Sequence, residues 1–304
     1  MIRRGVLGVI ALAACGNRHH DSAAKGNDDA AASARPAALP TVPESLPPTS
    51  PRDGITPEAV ARGAELFRDP TLAVDHKTSC ATCHDPAHGF SGNGRQNTAE
   101  GQPNLRRAQP LVNLAWKHEY GWDGRYATLD EQLAAHARGQ LGAVPASPAD
   151  VLAALRAFVL TRYSGDAPWD RVERSPSAPA DLKAGYALFT GKAQCGVCHT
   201  PPLYTDLGYH RLGLIAVADE GRGRVDPSLR GAFATPTLRG AAARATFFHD
   251  GSAHSLDEAI DWHLAGGAGQ GADPSIVDIK KIALAPDERA QLGAFVRALT
   301  ETTK

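Results

Sequence analysis

The stretch Thr78–Phe90 reads TSCATCHDPAHGF and holds two cysteines three positions apart, with a histidine directly after the second. The same arrangement recurs in the second half of the chain as CGVCH, at 195–199. C-x-x-C-H is typical of haem c attachment, in which two thioethers hold the porphyrin edge and the histidine is the proximal iron ligand. The sequence therefore predicts two covalently bound haem c groups. The predicted attachment residues are Cys80, Cys83 and His84 for the first haem, and Cys195, Cys198 and His199 for the second.

Two other interpretations of these four cysteines are open. Two disulfides, or one zinc site that uses all four thiols, would also suit C-x-x-C spacing. Neither interpretation accounts for the histidine that follows each pair. The two histidines therefore favour haem.

The beginning of the chain is similar to a bacterial lipoprotein signal. Arg3 and Arg4 form a positive region, and the apolar run at 6–14 is too short to span a bilayer. Leu12-Ala13-Ala14-Cys15 resembles a lipobox, so we expect residues 1–15 to be a signal with lipidated Cys15. An ordinary secretory signal is the alternative. The predicted location is the periplasm, with a lipid anchor as the only attachment to a membrane.

Composition and charge limit the remaining possibilities. Residues 16–54 are rich in Ala, Ser, Asp and Pro without a hydrophobic period, and predict a flexible tether. The chain has 32 Lys+Arg and 33 Asp+Glu, a formal net charge of −1. Because no long basic stripe is present, we expect no nucleic-acid partner.

Two similar helix ends precede the haem motifs. RGAELF (Arg62–Phe67) lies before the first motif and AGYALF (Ala184–Phe189) before the second, and both are typical of an amphipathic helix that leads into a haem loop. Strand patterns are sparse. The sequence predicts a mainly α fold with two cytochrome c-like domains, 55–170 and 171–304, each carrying one haem. Predicted helix starts are Thr56-Pro57-Glu58, Ser147-Pro148, Pro179-Ala180-Asp181 and Pro286.

Further motifs make the sequence resemble the bacterial dihaem cytochrome c peroxidase/MauG family over about residues 55–300. They are YGWDGRYATLDEQ (Tyr120–Gln132) and TPTLRGAAARATFFHDGSAHSLDEAI (Thr235–Ile260). The resemblance implies that the N-terminal haem has an open site for hydrogen peroxide, and that the C-terminal haem is six-coordinate and handles electrons. In the family the W-D-G-R tryptophan, Trp122 here, lies between the haems; simple packing between domains is the alternative.

The resemblance also implies partners. Electrons would come from a small periplasmic cytochrome or from a side chain of a partner protein, as in the MbnH-like branch of the family. Dimers are common among its members. The family's calcium ion lies between the domains, near an asparagine that is Ala108 here. Because Ala108 has no side-chain oxygen and hard cations need oxygen ligands, the sequence gives calcium little support.

The second axial ligand of the C-terminal haem departs from the family. Peroxidase members use methionine and MauG uses tyrosine, but the only methionine here is Met1. HSLDEAIDWHLAGG predicts a helix with a Ser255–Glu258 capping box, ending near Gly266. His263 falls at the end of its apolar face and at the family's ligand position. We expect His263 to bind the iron opposite His199, with Tyr204 or His210 as the alternative ligands.

Three more side chains are candidates for the haem sites. His249 matches a family histidine near the C-terminal haem, where we expect it to donate or accept a hydrogen bond, unless its role is structural. The family's catalytic glutamate falls at Gly142. His136 or Glu131 would have to substitute as the group that moves a proton of peroxide, unless both are surface helix residues. If His136 bound the first iron instead, the peroxide site would be closed. The alternative to a peroxidase is a non-catalytic dihaem electron-transfer cytochrome, which the missing glutamate favours.

Overall fold

The computed structural model describes residues 38–49, 54–142, 149–173, 175, 177–214, 219–267 and 277–301. The predicted signal and lipobox lie outside these residues, as does most of the predicted tether. The part of the tether that is described packs on the folded body: Leu46 is buried, and the Ser45 hydroxyl donates to the Gly165 carbonyl. The predicted tether therefore includes residues that contact the folded part of the chain.

The fold is mainly helical, as predicted. The N-terminal half contains α1 (Pro57–Leu66), α2 (Cys80–Cys83), α3 (Leu129–Gly139) and α4 (Ala149–Leu160). The C-terminal half contains α5 (Pro168–Val172), α6 (Ala180–Thr190), α7 (Leu256–Leu264) and α8 (Pro286–Arg297). Short 3-10 turns and one antiparallel strand pair, β1 (Tyr209–Arg211) and β2 (Ala232–Ala234), connect them. The described residues form one compact unit, and no described helix is long and apolar enough to cross a membrane.

The predicted helix starts are confirmed where the structure describes them. The Thr56 side chain accepts a hydrogen bond from the Ala59 amide at the start of α1, with proline in the first turn. The starts of α6 and α8 also agree. Ser147-Pro148, the predicted start of α4, lies outside the described residues. The predicted apolar stripe is buried at Leu292, Phe295 and Val296 of α8, and at Leu299, which lies two residues beyond the end of that helix.

The two halves share one way of packing their main helices. α1 packs on α4, and α6 packs on α8. A Cβ atom at Gly63 would lie 2.0 Å from a backbone oxygen of α4 and 2.7 Å from Cβ of Phe158. At Gly185 it would lie 2.2 Å from a backbone oxygen of α8 and 2.7 Å from Cβ of Phe295. These are the glycines of RGAELF and AGYALF, so both motifs allow a helix to cross close to a phenylalanine.

This crossing gives a stability prediction. We expect Gly63→Ala to lower the free energy of unfolding by about 1–3 kcal/mol, because the added methyl overpacks the interface of α1 and α4. Gly139→Ala is the matched control: Gly139 also lies in a helix, but a Cβ there would meet nothing within 4 Å, and alanine should add up to about 1 kcal/mol. Denaturant unfolding of both variants measures the difference. If Gly63→Ala and Gly139→Ala were equally stable, α1 and α4 would have to accept the added methyl group without any loss of packing energy.

Candidate haem-binding sites

The state and position of the four cysteines bear on the two alternatives to haem, which are two disulfides or one zinc site. Cys80, Cys83, Cys195 and Cys198 are all free thiols, so the two-disulfide interpretation is wrong for this structure. The four thiols do not meet at one zinc site either. Among the described residues, the only group of three or more possible metal ligands is Cys198, Asp206 and His210.

The first motif borders a cavity of about 440 Å³, here called the N-terminal cavity. Cys80, Cys83 and His84 all line it. His84 Nδ1 lies 2.8 Å from the Gln109 carbonyl oxygen. Because a carbonyl only accepts, Nδ1 carries the proton and Nε2 is left as an unprotonated ligand atom. Burial lowers the pKa of His84 to about 4, which keeps the imidazole neutral, the form that binds metal.

His136 lines the same cavity from the last turn of α3. Its Nδ1 lies 3.1 Å from the Gln132 carbonyl oxygen, so Nδ1 donates and Nε2 is an available proton acceptor. Burial lowers the pKa of His136, which keeps this imidazole neutral as well. Gln132 also lines the cavity. It belongs to the quoted W-D-G-R stretch, but no pattern in that stretch assigned it a role.

Glu131 lies elsewhere. Its carboxylate accepts hydrogen bonds from the Ala127 and Thr128 amides at the start of α3, it is exposed, and it is absent from the cavity wall. Its position is that of a capping residue, which does not fit the catalytic role considered for it. The capping box that it forms with Thr128 fixes the start of α3.

The structure explains why the family's glutamate cannot stand at position 142. Gly142 has φ of +80°, and a Cβ atom there would lie 2.5 Å from a γ-carbon of Val74. A side chain is therefore excluded by both backbone conformation and space. Any proton transfer in this cavity must use another residue.

The second motif borders a cavity of about 240 Å³, here called the C-terminal cavity. His199 and His263 face each other across it, with ring centroids 6.4 Å apart and planes at 63°. A metal–imidazole bond of about 2 Å on each side, with about 1 Å from each nitrogen to its ring centre, places two ligating rings about 6 Å apart. The observed spacing therefore fits one metal ion between the two rings.

The hydrogen bonds of both rings agree with that fit. His199 Nδ1 lies 3.1 Å from the Tyr204 carbonyl oxygen, and His263 Nδ1 lies 2.7 Å from the Ala259 carbonyl oxygen. Each Nδ1 must donate to its carbonyl, so both Nε2 atoms are unprotonated. Carbonyl partners of this kind orient metal-bound histidines and raise their basicity.

The two alternative ligands have other contacts. The Tyr204 ring is buried against Phe189, and the Arg239 guanidinium lies over it. His210 Nε2 lies 2.6 Å from a carboxylate oxygen of Asp206. Tyr204 is absent from the wall of the C-terminal cavity, and His210 lines it with Nε2 held by Asp206. His263 is therefore the better placed of the three to face His199.

His249 lies on the wall of the C-terminal cavity. It is 3% exposed, and its ring stacks on Phe233 with centroids 3.5 Å apart. Nε2 has no hydrogen-bond partner among the described residues. Burial lowers the pKa of His249 to about 4. A buried polar atom without a partner is costly, so this position fits a ligand that brings a polar group into the cavity.

Trp122 and Arg107 are the two residues that line both cavities. Trp122 is 5% exposed, and its Nε1 donates to the Arg107 carbonyl at 2.9 Å. The Arg107 guanidinium carbon lies 5.2 Å from the Trp122 ring centroid. The structure thus places Trp122 at the wall of both cavities. No sequence pattern pointed to Arg107, and its role at this junction was missed.

Relatives with known names resemble this chain closely. A family model described as di-haem cytochrome c peroxidase matches residues 57–142. The methylamine utilization protein MauG of Methylorubrum extorquens is 36% identical over 293 residues, which cover 84% of this chain and 82% of the relative. The cytochrome-c peroxidase IdrP1 of Denitromonas iodatirespirans is 29% identical and covers 87% of this chain and 86% of itself.

A solved structure of a related protein has a similar fold. A MauG-like protein associated with microbial copper homeostasis superimposes with a TM-score of 0.77 at 26% identity, over 86% of this chain and 94% of that chain. These relatives, and two cavities that each border a C-x-x-C-H motif, define a dihaem peroxidase-like oxidoreductase. The chain belongs to the dihaem cytochrome c peroxidase/MauG family.

Proposed function

We propose that the protein is a periplasmic peroxidase that uses hydrogen peroxide at an N-terminal haem c and takes electrons through a C-terminal haem c. The observation that carries this proposal is the difference between the two cavities. His199 and His263 are the only two histidines among the described residues whose rings contact each other. His136 lines the N-terminal cavity together with His84 and contributes, after burial, to the lowered pKa of His84, but among the described residues the two rings make no contact like that of His199 and His263. We therefore propose that a metal held by His84 keeps one side open.

Haem supplies an iron that binds peroxide and accepts its two oxidising equivalents. The chain's own residues hold that group: Cys80 and Cys83 form thioethers beside His84, and Cys195 and Cys198 do so beside His199. His263 is the proposed sixth ligand of the second iron. His249 Nε2 is proposed to make a hydrogen bond with the second haem.

His136 is the proposed proton carrier of the N-terminal cavity. Its neutral imidazole can take a proton from one peroxide oxygen at Nε2 and return it to the other, as general acid–base catalysis requires. Gln132 lies one turn before it on α3 and borders the same space. Glu131 is left out of the proposal because its carboxylate caps the helix.

Trp122 is the proposed connection between the two sites. Its position at both cavity walls means that charge need not cross open solvent to pass from one haem to the other. The reductant, a small cytochrome or a side chain of a partner protein, would then act at the C-terminal half without entering the peroxide cavity. We also propose that Cys15 carries the lipid anchor; the dimer implied by the resemblance stays a prediction.

Carbon monoxide binding to the fully reduced protein tests the proposal. CO needs a vacant or readily vacated ferrous site, so we expect one CO for every two haems, counted by absorbance. No CO would mean that both irons have two protein ligands. The peroxidase proposal would then fail, and the dihaem electron-transfer alternative would stand, with His136 as the ligand that closes the first site.

A further inference from the structure

Two arginines are buried at the wall of the C-terminal cavity. Arg107 is 2% exposed and Arg244 is 6% exposed, and both line the cavity. The Arg107 guanidinium donates to the Phe248 and Ala108 carbonyls and to the Ser91 hydroxyl. None of these acceptors carries a negative charge.

Arg244 likewise donates only to uncharged acceptors. One terminal nitrogen donates to the carbonyls of Thr237 and Arg239, both at 2.8 Å. Its Nε is buried and has no partner among the described residues. Burial lowers the pKa of Arg107 to about 10 and that of Arg244 to about 9, and the repulsion between the two adds to the second shift. Both groups still carry their charge at neutral pH.

A neighbouring arginine shows what ordinary pairing looks like in this fold. Arg106 is bonded to Asp219 at 2.6 Å and to Asp123 at 3.0 Å, and both carboxylates are buried. No carboxylate of a described residue makes such a bond with Arg107 or Arg244. Asp250 attracts Arg107 and partly offsets the effect of burial on its pKa, but no acid among the described residues does so for Arg244. Because an isolated buried charge costs several kcal/mol, the wall at Arg244 needs an anion that the described residues do not supply.

We propose that Arg244 and Arg107 form a carboxylate-binding site for the propionate groups of the haem in the C-terminal cavity, and that these fixed cations take the place of calcium between the haems. The inference rests on the proposed haem occupancy of that cavity. Guanidinium donors match carboxylate geometry and keep their charge when buried. The Nε–H of Arg244 is a donor without a partner on this wall, and Nε2 of His249, also without a partner, can donate to a carboxylate when it carries the ring proton.

The positive charges of Arg107 and Arg244 disfavour a calcium ion near them. A divalent cation placed beside two buried guanidiniums would be repelled by both, and the repulsion is strong where water is excluded. Ala108, next to Arg107, offers only its backbone carbonyl as an oxygen ligand, and the Arg107 guanidinium already donates to that oxygen. The chain therefore places permanent positive charge where the family places a metal ion.

The first test is a redox titration of the holoprotein with Arg244→Gln. A nearby cation stabilises the reduced haem, so its loss should lower the ratio of reduced to oxidised C-terminal haem about tenfold at a fixed potential, or about 59 mV for one electron. Arg244→Lys keeps the charge and should stay within about twofold of the natural protein. Arg230→Gln removes an exposed cation that is paired with Glu220 and should change nothing.

Two results would overturn the inference. One is an unchanged ratio in Arg244→Gln; the other is a fall in Arg244→Lys as large as in Arg244→Gln, which would indicate a structural role. If Arg244→Gln does not fold, metal analysis of the natural holoprotein decides. After exposure to calcium and dialysis we expect far less than one calcium per chain, and one firmly bound calcium refutes the proposal. CO stoichiometry tests the peroxidase function separately.

Discussion

Replacing His263 with methionine is expected to raise the midpoint potential of the C-terminal haem on the order of 0.2 V, within the range of about 0.8 V that axial ligands span. The reason is that a thioether favours ferrous iron more than a second imidazole does. His263 is placed for this effect, since its ring faces His199 at 6.4 Å and its Nδ1 is held by the Ala259 carbonyl. The optical spectrum should change at the same time from that of a bis-imidazole haem to that of a His/Met haem.

His210→Met is the matched control for this substitution. His210 also lines the C-terminal cavity, but its Nε2 is held by Asp206. Its replacement should leave the axial-ligand spectrum of the haem unchanged. If the spectrum stays unchanged in His263→Met, or changes in His210→Met, the second imidazole that binds the iron belongs to a residue other than His263.

The two imidazole ligands proposed for the C-terminal iron also affect which electron donor the protein would use. Two imidazoles give a lower potential than His/Met ligation, and a low potential makes it easier to hold an oxidising equivalent at that haem. This favours slow, selective oxidation of a partner-protein side chain over simple reduction of peroxide by a cytochrome. The same His263→Met variant separates the two: we propose that it shifts the preference toward the cytochrome donor.

The haem motifs and the face of α7 were predictable because each is encoded within a few neighbouring residues. C-x-x-C-H places its three groups by local spacing, and the spacing of three and four positions put His263 on one side of a single helix. The equivalence of Gly63 and Gly185 was present in RGAELF and AGYALF as a repeated motif. Its purpose, a close crossing of two helices, became visible only with the partner helices in place.

Other features could not be predicted, since they depend on segments that are distant in the sequence. That Arg107 and Arg244 lie on one cavity wall follows from the packing of two loops, which no local pattern shows. The position of Gly142 against Val74 is a contact of the same kind. Glu131 misled because a glutamate three positions after Thr128 is equally typical of a capping box, and the cap is where the structure places it.

The N-terminal cavity leads to the second large effect. Replacing His136 with glutamine should lower the rate of peroxide consumption by about 10²- to 10⁴-fold, the contribution typical of a positioned acid–base group. Glutamine can still form hydrogen bonds in the cavity, but it cannot carry a proton at neutral pH. Steady-state assays with a reduced cytochrome, at saturating donor, measure the loss. CO binding should stay at one per two haems, because His136 is not a ligand in the proposed arrangement.

Glu131→Gln is the control for the same reaction. It changes a carboxylate to an amide about one and a half helical turns before His136, but on the exposed cap of α3 rather than at the cavity. We expect less than about a twofold change in rate, with at most a small loss of helix stability. If His136→Gln leaves the rate intact, the proton carrier is another residue. If instead it raises CO binding from none to one per chain, His136 was closing the first iron, and the protein is an electron carrier whose peroxide site exists only in the variant.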